Sequence, residues 1–195
     1  MKILVACEFS GIVREAFAGL GHDAWSCDFL ATEIPGQHIQ GDVRDILSHG
    51  WDLMIAHPPC TYLASSGLHW NTRRPERRPL TEEALAFVQV LLDAPINRIA
   101  LENPIGCIST RIRKPDQIIQ PWFFGDEESK TTCLWLKNLP PLMSTMLIPR
   151  RRYLNQSPNG QNKLGPSPDR WKIRSRTYPG VADAMATQWN FEICG

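Results

Sequence analysis

The 195-residue chain is 43% hydrophobic and 21% charged, which is enough apolar material to close one substantial core without disulfide or metal staples. Its formal net charge of +1 excludes partner selection by bulk charge, so any preference for an anionic partner must come from local clusters. The six cysteines, Cys7, Cys27, Cys60, Cys107, Cys133 and Cys194, form no CxxC pair, which argues for free thiols and against a zinc site or a disulfide framework.

The opening run Met1-Lys2-Ile3-Leu4-Val5-Ala6 is too short for a signal peptide or a membrane span, and no later apolar stretch approaches about 18 residues. A cytoplasmic protein with no metal and no membrane partner is expected; the oligomeric state stays open. Ile3 to Cys7 reads as a buried first strand that ends in Glu8-Phe9-Ser10-Gly11. Apolar residues at 12, 13, 16, 17 and 20 then have helical spacing, stopped by Gly19 and Gly21. Strands follow at Ala24 to Cys27, ending at Asp28, and at His38 to Gln40, ahead of Gly41-Asp42. Leu53 to Ala56 is a further buried strand, and the next residues are His57-Pro58-Pro59-Cys60. Two prolines cannot continue a ladder, so the chain leaves the sheet there and Cys60 falls on a stiff loop. Leu80 to Asp93 reads as a helix, and Arg98 to Leu101 as a strand ending in Glu102-Asn103-Pro104. Gln117 to Phe124 fits helix or strand, Thr131 to Leu136 a strand, residues 139–179 mostly ordered loop, and Val181 to Trp189 a closing helix. Strands alternating with helices at these intervals predict a mostly parallel central sheet with helices on both faces.

Each strand of the first half ends on a polar or special residue, and ligands of open α/β sheets bind beyond the carboxyl ends of the strands. Taken singly, each has a plain alternative: Asp28 and Asp42 as helix-capping acids, Glu102 as an ion-paired acid, Cys60 as a small buried hydrophobe, and His57 as a loop residue bonded to backbone. Taken in order, Phe9-Ser10-Gly11, Asp28, Asp42, Pro58-Pro59-Cys60 and Glu102-Asn103-Pro104 resemble the motifs of the DNA cytosine C5-methyltransferases. No GxGxxG or GxxxxGK pattern competes with that resemblance.

The resemblance implies a Rossmann-like α/β fold that uses S-adenosylmethionine. Phe9, Ser10, Gly11 and Pro58 would border the cofactor, with Asp28 at its ribose and Asp42 at its adenine. Cys60 would be the nucleophile and Glu102 the acid at N3 of cytosine, as is chemically reasonable because carbon 5 becomes nucleophilic only after a thiolate has added at carbon 6. His57 is a tempting base for the thiol, but family members manage without a histidine there, which favours the loop-residue reading.

Two features depart from the family. Its Gln-x-Arg-x-Arg motif falls near Phe124 to Thr132, leaving Lys130 where the first arginine belongs and Thr132 where the second does, with Arg111, Arg113 or the Arg174/Arg176 pair as other donors. A large target-recognition region is missing: residues 1–195 are read as a single catalytic domain in which residues 139–179, basic and proline-rich, take its place, as in compact phage forms. Between Pro141 and Arg176 eight Lys/Arg face the single acid Asp169. A second basic run, Arg73, Arg74, Arg77 and Arg78, follows Cys60 where the family has a mobile loop over the flipped base. With Arg174 and Arg176 these form the expected DNA contacts. The alternatives are the same chemistry on a cytosine mononucleotide or modified pyrimidine, and a non-catalytic DNA-binding module that retains the fold.

Overall fold

The computed structural model describes residues 1–147, 153–157 and 163–191. Seven strands form one sheet: β1 (Lys2–Ala6), β2 (Asp23–Asp28), β3 (His38–Gln40), β4 (Leu53–Ala56), β5 (Arg98–Pro104), β6 (Gln117–Ile119) and β7 (Thr132–Lys137). Their order across the sheet is β3-β2-β1-β4-β5-β7-β6. The pairs from β3 through β5 are parallel, whereas β7 runs antiparallel to both β5 and β6. This is the Rossmann-like α/β architecture, a mostly parallel central sheet, expected from the sequence. Strand order reverses between β1 and β4, so a crevice forms at their carboxyl ends.

The strands are apolar on both faces because both faces are covered. Ile3 and Val5 of β1, with Leu53 and Ile55 of β4, belong to a core shared with α1 (Ile12–Ala18) and α7 (Pro179–Gln188). The alternating residues Leu4, Ala6, Met54 and Ala56 join the opposite core, which includes Leu85, Val88 and Leu91 of α4 (Arg77–Leu92). The period of two sorts consecutive side chains to opposite layers, and α1 packs against α7 on its layer.

Several expectations shift. The helix read from Leu80 starts at Arg77, and Gln117 to Phe124 divides into β6 and a 3₁₀ turn, Pro121–Phe123. The segment after Cys60 is not open loop: α2 (Ser65–Leu68) and α3 (Trp70–Arg73) fill it. It is tied to the loop after β5, where α5 (Ile108–Arg111) follows, by Ser65 N–H donating to Ile105 O and Cys107 N–H to Leu63 O, both at 2.9 Å. Gly106 is required at that crossing, because a Cβ there would run into the Leu63 carbonyl. The stretch read as loop over 139–179 contains α6 (Arg170–Ser175). Its apolar residues Trp171 and Ile173 are exposed, so no buried stripe marked it in the sequence. No described helix is long and apolar enough to cross a membrane.

Candidate active site

The chain leaves β1 through Cys7, whose φ of 59° is left-handed, and turns again at Gly11, φ 77°. Between them the buried Glu8 carboxylate accepts hydrogen bonds from Val13 N–H at 2.8 Å and Arg14 N–H at 3.2 Å. It thereby satisfies the first free donors of α1 and complements its positive end. Ser10 donates to the same carboxylate at 3.1 Å, and Phe9 and Ser10 are both buried. Arg14 is wholly buried and donates to Ser26, Thr32 and the Ile34 carbonyl, so it pins the loop after β2 against α1. Neither Glu8 nor Arg14 was singled out from the sequence. A charged residue on the buried face of an amphipathic helix was the available signal.

Asp28 ends β2, and its side chain accepts from Leu30 N–H at 2.9 Å. Burial raises its pKa, the Leu30 and Phe29 amides and His38 offsetting only part of the effect. Asp42 differs. It caps the short 3₁₀ turn Val43–Asp45 by accepting from Arg44 N–H at 2.9 Å, and it is ion-paired with the Arg44 guanidinium, which lowers its pKa. Both acids bear on Cys7, whose thiol is pushed far up by burial, then by Asp28, Cys27 and Asp42. The carboxyl ends of β1, β2 and β3 therefore meet at one place. A partly desolvated carboxylate such as Asp28 suits a ligand that brings hydroxyl donors. Asp42 already has a partner in Arg44.

Across the switch point, β4 ends in His57 and the prolines. The Pro58 carbonyl accepts from the buried Asn103 side chain at 2.8 Å, which ties the Cys60 loop to β5. His57 Nδ1 lies 2.9 Å from Glu102 Oε2, and each side chain keeps under a tenth of its surface exposed. The reading of His57 as a loop residue bonded to backbone holds for its N–H, which donates to the Ala6 carbonyl at 2.9 Å, but its ring has a side-chain partner, Glu102 on the adjacent strand. His57 Nε2 is buried without a hydrogen-bond partner among the described residues.

Burial would push the Glu102 carboxyl up, but Lys130, His57 and the Thr132 hydroxyl together outweigh it and hold the pKa down to about 2. Lys130 reaches this end of β5 because β7 is antiparallel: Thr132 pairs with Pro104, so the residues preceding β7 arrive at the carboxyl edge. Lys130 is held there by its amide, which donates to Gln120 Oε1 at 3.1 Å, and by Nζ, which donates to the Arg176 carbonyl at 3.3 Å. Glu102, Lys130, Thr132, Thr177 and Tyr178 line a common cleft. Cys60 is an exposed residue whose thiol pKa is raised by partial burial of the sulfur and by Glu102, while Lys130 and Arg174 pull it down.

No family model matches this chain, and no curated protein does. Among solved structures, a provisionally assigned DNA modification methyltransferase encoded within an Escherichia coli prophage is similar, at 14% identity and a TM-score of 0.47. The similarity covers 75% of this chain and 51% of the other, so the chain spans about half the length of that neighbour.

The basic residues divide. Arg73 and Arg74 lie over the Trp70 ring, with guanidinium-to-centroid distances of 5.6 and 5.2 Å, and Arg77 lies over Tyr62 at 4.6 Å. Arg78 donates to the Asn71 carbonyl at 3.3 Å. Arg174 comes close enough to act on Cys60 and Tyr178. Arg176 forms a two-pronged ion pair with Glu33, at 2.9 and 2.8 Å, while Trp171 of α6 meets Phe9 at 5.9 Å between ring centroids. Arg111 pairs with Glu82 and Arg113 with Asp116. Of the other donors considered for the missing arginine, Arg174 is therefore the one that bears on Cys60. Arg150, Arg151 and Arg152 lie outside the described residues, as does Cys194. Among the described residues no cluster of His, Cys, Asp or Glu is arranged to hold a metal ion.

Proposed function

We propose that this protein transfers a methyl group from S-adenosylmethionine to carbon 5 of cytosine in DNA through a covalent Cys60 adduct. The observation that carries the proposal is the meeting of Cys60, Glu102 and Lys130 at the carboxyl ends of β4, β5 and the approach to β7. A nucleophile, a buried carboxyl group and a cation are the three groups that addition to a pyrimidine ring calls for. Cys60 reacts as the thiolate. Its raised pKa means that the proton is lost as substrate binds, with Lys130 and Arg174 offsetting part of the cost. Addition of the thiolate to carbon 6 moves electron density onto the ring, and protonation at N3 relieves it, leaving an enamine with a nucleophilic carbon 5. S-adenosylmethionine supplies a methyl group on a sulfonium, the electrophile such a carbon attacks. Asp28 would accept from its ribose hydroxyls, and the backbone turn at Phe9-Ser10-Gly11 would border it, with Asp42 at the adenine if it leaves Arg44.

DNA is favoured as the carrier of the cytosine by Arg73 and Arg74, exposed over Trp70, and by the half-buried Arg77 over Tyr62, in the segment that begins at Cys60. Guanidinium groups held over aromatic rings are preordered for phosphate oxygens. The reading is tested by incubating the protein with labelled S-adenosylmethionine and either duplex DNA containing 5-fluorocytosine or free dCMP. A stable protein–DNA adduct that Cys60→Ser does not form is the expected result. Label in dCMP alone would transfer the chemistry to the mononucleotide, and no adduct or label in either would leave a binding module.

A further inference from the structure

We infer that Arg14 and His38 are positioning residues for the cofactor, which fix Asp28 and the loop after it through a one-way chain of hydrogen bonds. The inference rests on the S-adenosylmethionine reading above and deepens it. The chain starts on the buried face of α1, where the wholly enclosed Arg14 guanidinium donates to Ser26 Oγ at 3.0 Å. The parallel pairing of β2 with β3 sets Ser26 beside His38, and Ser26 Oγ lies 2.8 Å from His38 Nδ1. On the other side of the ring, Nε2 lies 2.9 Å from the Leu30 carbonyl. A guanidinium only donates and a carbonyl only accepts, so Nε2 carries the ring hydrogen. Arg14 fills one lone pair of Ser26 Oγ, and the hydroxyl hydrogen goes to Nδ1, the acceptor it faces. Leu30 N–H in turn donates to Asp28 Oδ1 at 2.9 Å, so the chain ends on the carboxylate.

The same guanidinium holds the rest of the loop between β2 and β3. It donates to Thr32 Oγ1 at 3.1 Å and to the Ile34 carbonyl at 2.6 Å, and Glu15 meets its charge at 2.9 Å. Gly11 and Gly36 leave it room, since a Cβ at either would lie 2.7 Å from Nη2. A planar fork serves several acceptors from one point, which the compact ammonium of a lysine does not. Packing alone would call for an apolar side chain on this face, because a buried charge is costly without such bonds. Glu33 N–H closes the loop against the Phe9 carbonyl at 2.8 Å. Asp28 at the start of the loop and Phe9 at its edge are the residues assigned to the cofactor. A carboxylate already held in place spares the ligand the cost of ordering it.

Arg14→Lys tests the fork, and Ser26→Ala, which adds no bulk, keeps the test open if the lysine variant does not fold. By calorimetry Ser26→Ala should bind S-adenosylmethionine about 10-fold more weakly, with its affinity for duplex DNA unchanged within about 2-fold. The double variant Ser26→Ala/Asp28→Asn separates positioning from general loosening. A chain that acts through Asp28 leaves the double variant no weaker than Asp28→Asn, whereas independent losses would multiply to about 100-fold. The ¹⁵N spectrum of ligand-free protein supplies a signature that packing would not set: His38 should be the Nε2–H tautomer, and its Nδ1 resonance should move in Ser26→Ala. Multiplying losses, wild-type cofactor affinity in Ser26→Ala, or a hydrogen on Nδ1 would overturn the inference. If wild-type protein binds no S-adenosylmethionine, the cofactor reading and the positioning role fail together. Tight binding that survives the loss of Ser26 removes the positioning role alone.

Discussion

The two halves of the sheet's carboxyl edge hold acids under opposite conditions. On the β1–β3 side Asp28 is partly buried, and burial raises its pKa, with the Leu30 and Phe29 amides and His38 offsetting only part of the effect. On the β4–β7 side Glu102 is more deeply buried, yet its pKa is depressed to about 2 by Lys130, His57 and Thr132. Burial therefore does not decide the charge of a carboxyl group; the partners brought with it do. The first arrangement leaves an acceptor short of donors, as suits a ligand's hydroxyls. The second keeps a buried group charged beside Lys130.

The largest effect is expected from Lys130→Met, which removes the cation bearing on both Glu102 and Cys60. Glu102 has a folded pKa below its ordinary 4.5, so its ionisation adds stability above about pH 4.5 that is lost as pH falls through about 2. Without Lys130 that window narrows, and acid unfolding followed by circular dichroism should begin at higher pH. Adduct formation should slow by about 100-fold. An unchanged acid transition would assign the Glu102 shift to His57 and Thr132 alone.

A middle-sized and two-sided effect is expected at Asp28. Its carboxylate has a raised folded pKa, so ionising it costs stability as pH rises. Asp28→Asn should melt a few degrees higher above pH 6, yet bind S-adenosylmethionine about 10-fold more weakly by calorimetry, since a charged acceptor is lost. Gaining stability without losing affinity would remove Asp28 from the cofactor site.

The smallest effect belongs to Asp42, whose partner is the exposed Arg44. Asp42→Asn keeps a capping side chain, and both melting temperature and cofactor affinity should stay within about 2 °C and 2-fold. A loss matching that of Asp28→Asn would mean that Asp42 leaves Arg44 for the adenine.

Much of the sheet's carboxyl edge was legible in the chain. Buried strands announced themselves as apolar runs, and Asp28, Asp42, Cys60 and Glu102 could be placed at strand ends by counting from those runs. The ring partner of His57 was not legible, because it is 45 residues away and only the pairing of β4 with β5 brings the two together. Arg14 was hidden for a similar reason: its partners Ser26, Thr32 and Ile34 belong to a strand and loop that fold back over α1. The helix α6 carried no stripe to find.

By itself the sequence determined most of the strands, the polar residues at their carboxyl ends, and that a thiol on a proline-stiffened loop follows β4, while Gln117 to Phe124 stayed between helix and strand. Period-two and period-3.6 apolar patterns, proline and glycine are local signals, and local geometry reads them directly. Only the tertiary structure decided the charge states and partnerships: Glu102 with His57 and Lys130, Asp42 with Arg44, Arg176 with Glu33. These depend on strand order, on the reversal of β7 and on distances across the sheet, and a pKa set by neighbours is known only once the neighbours are.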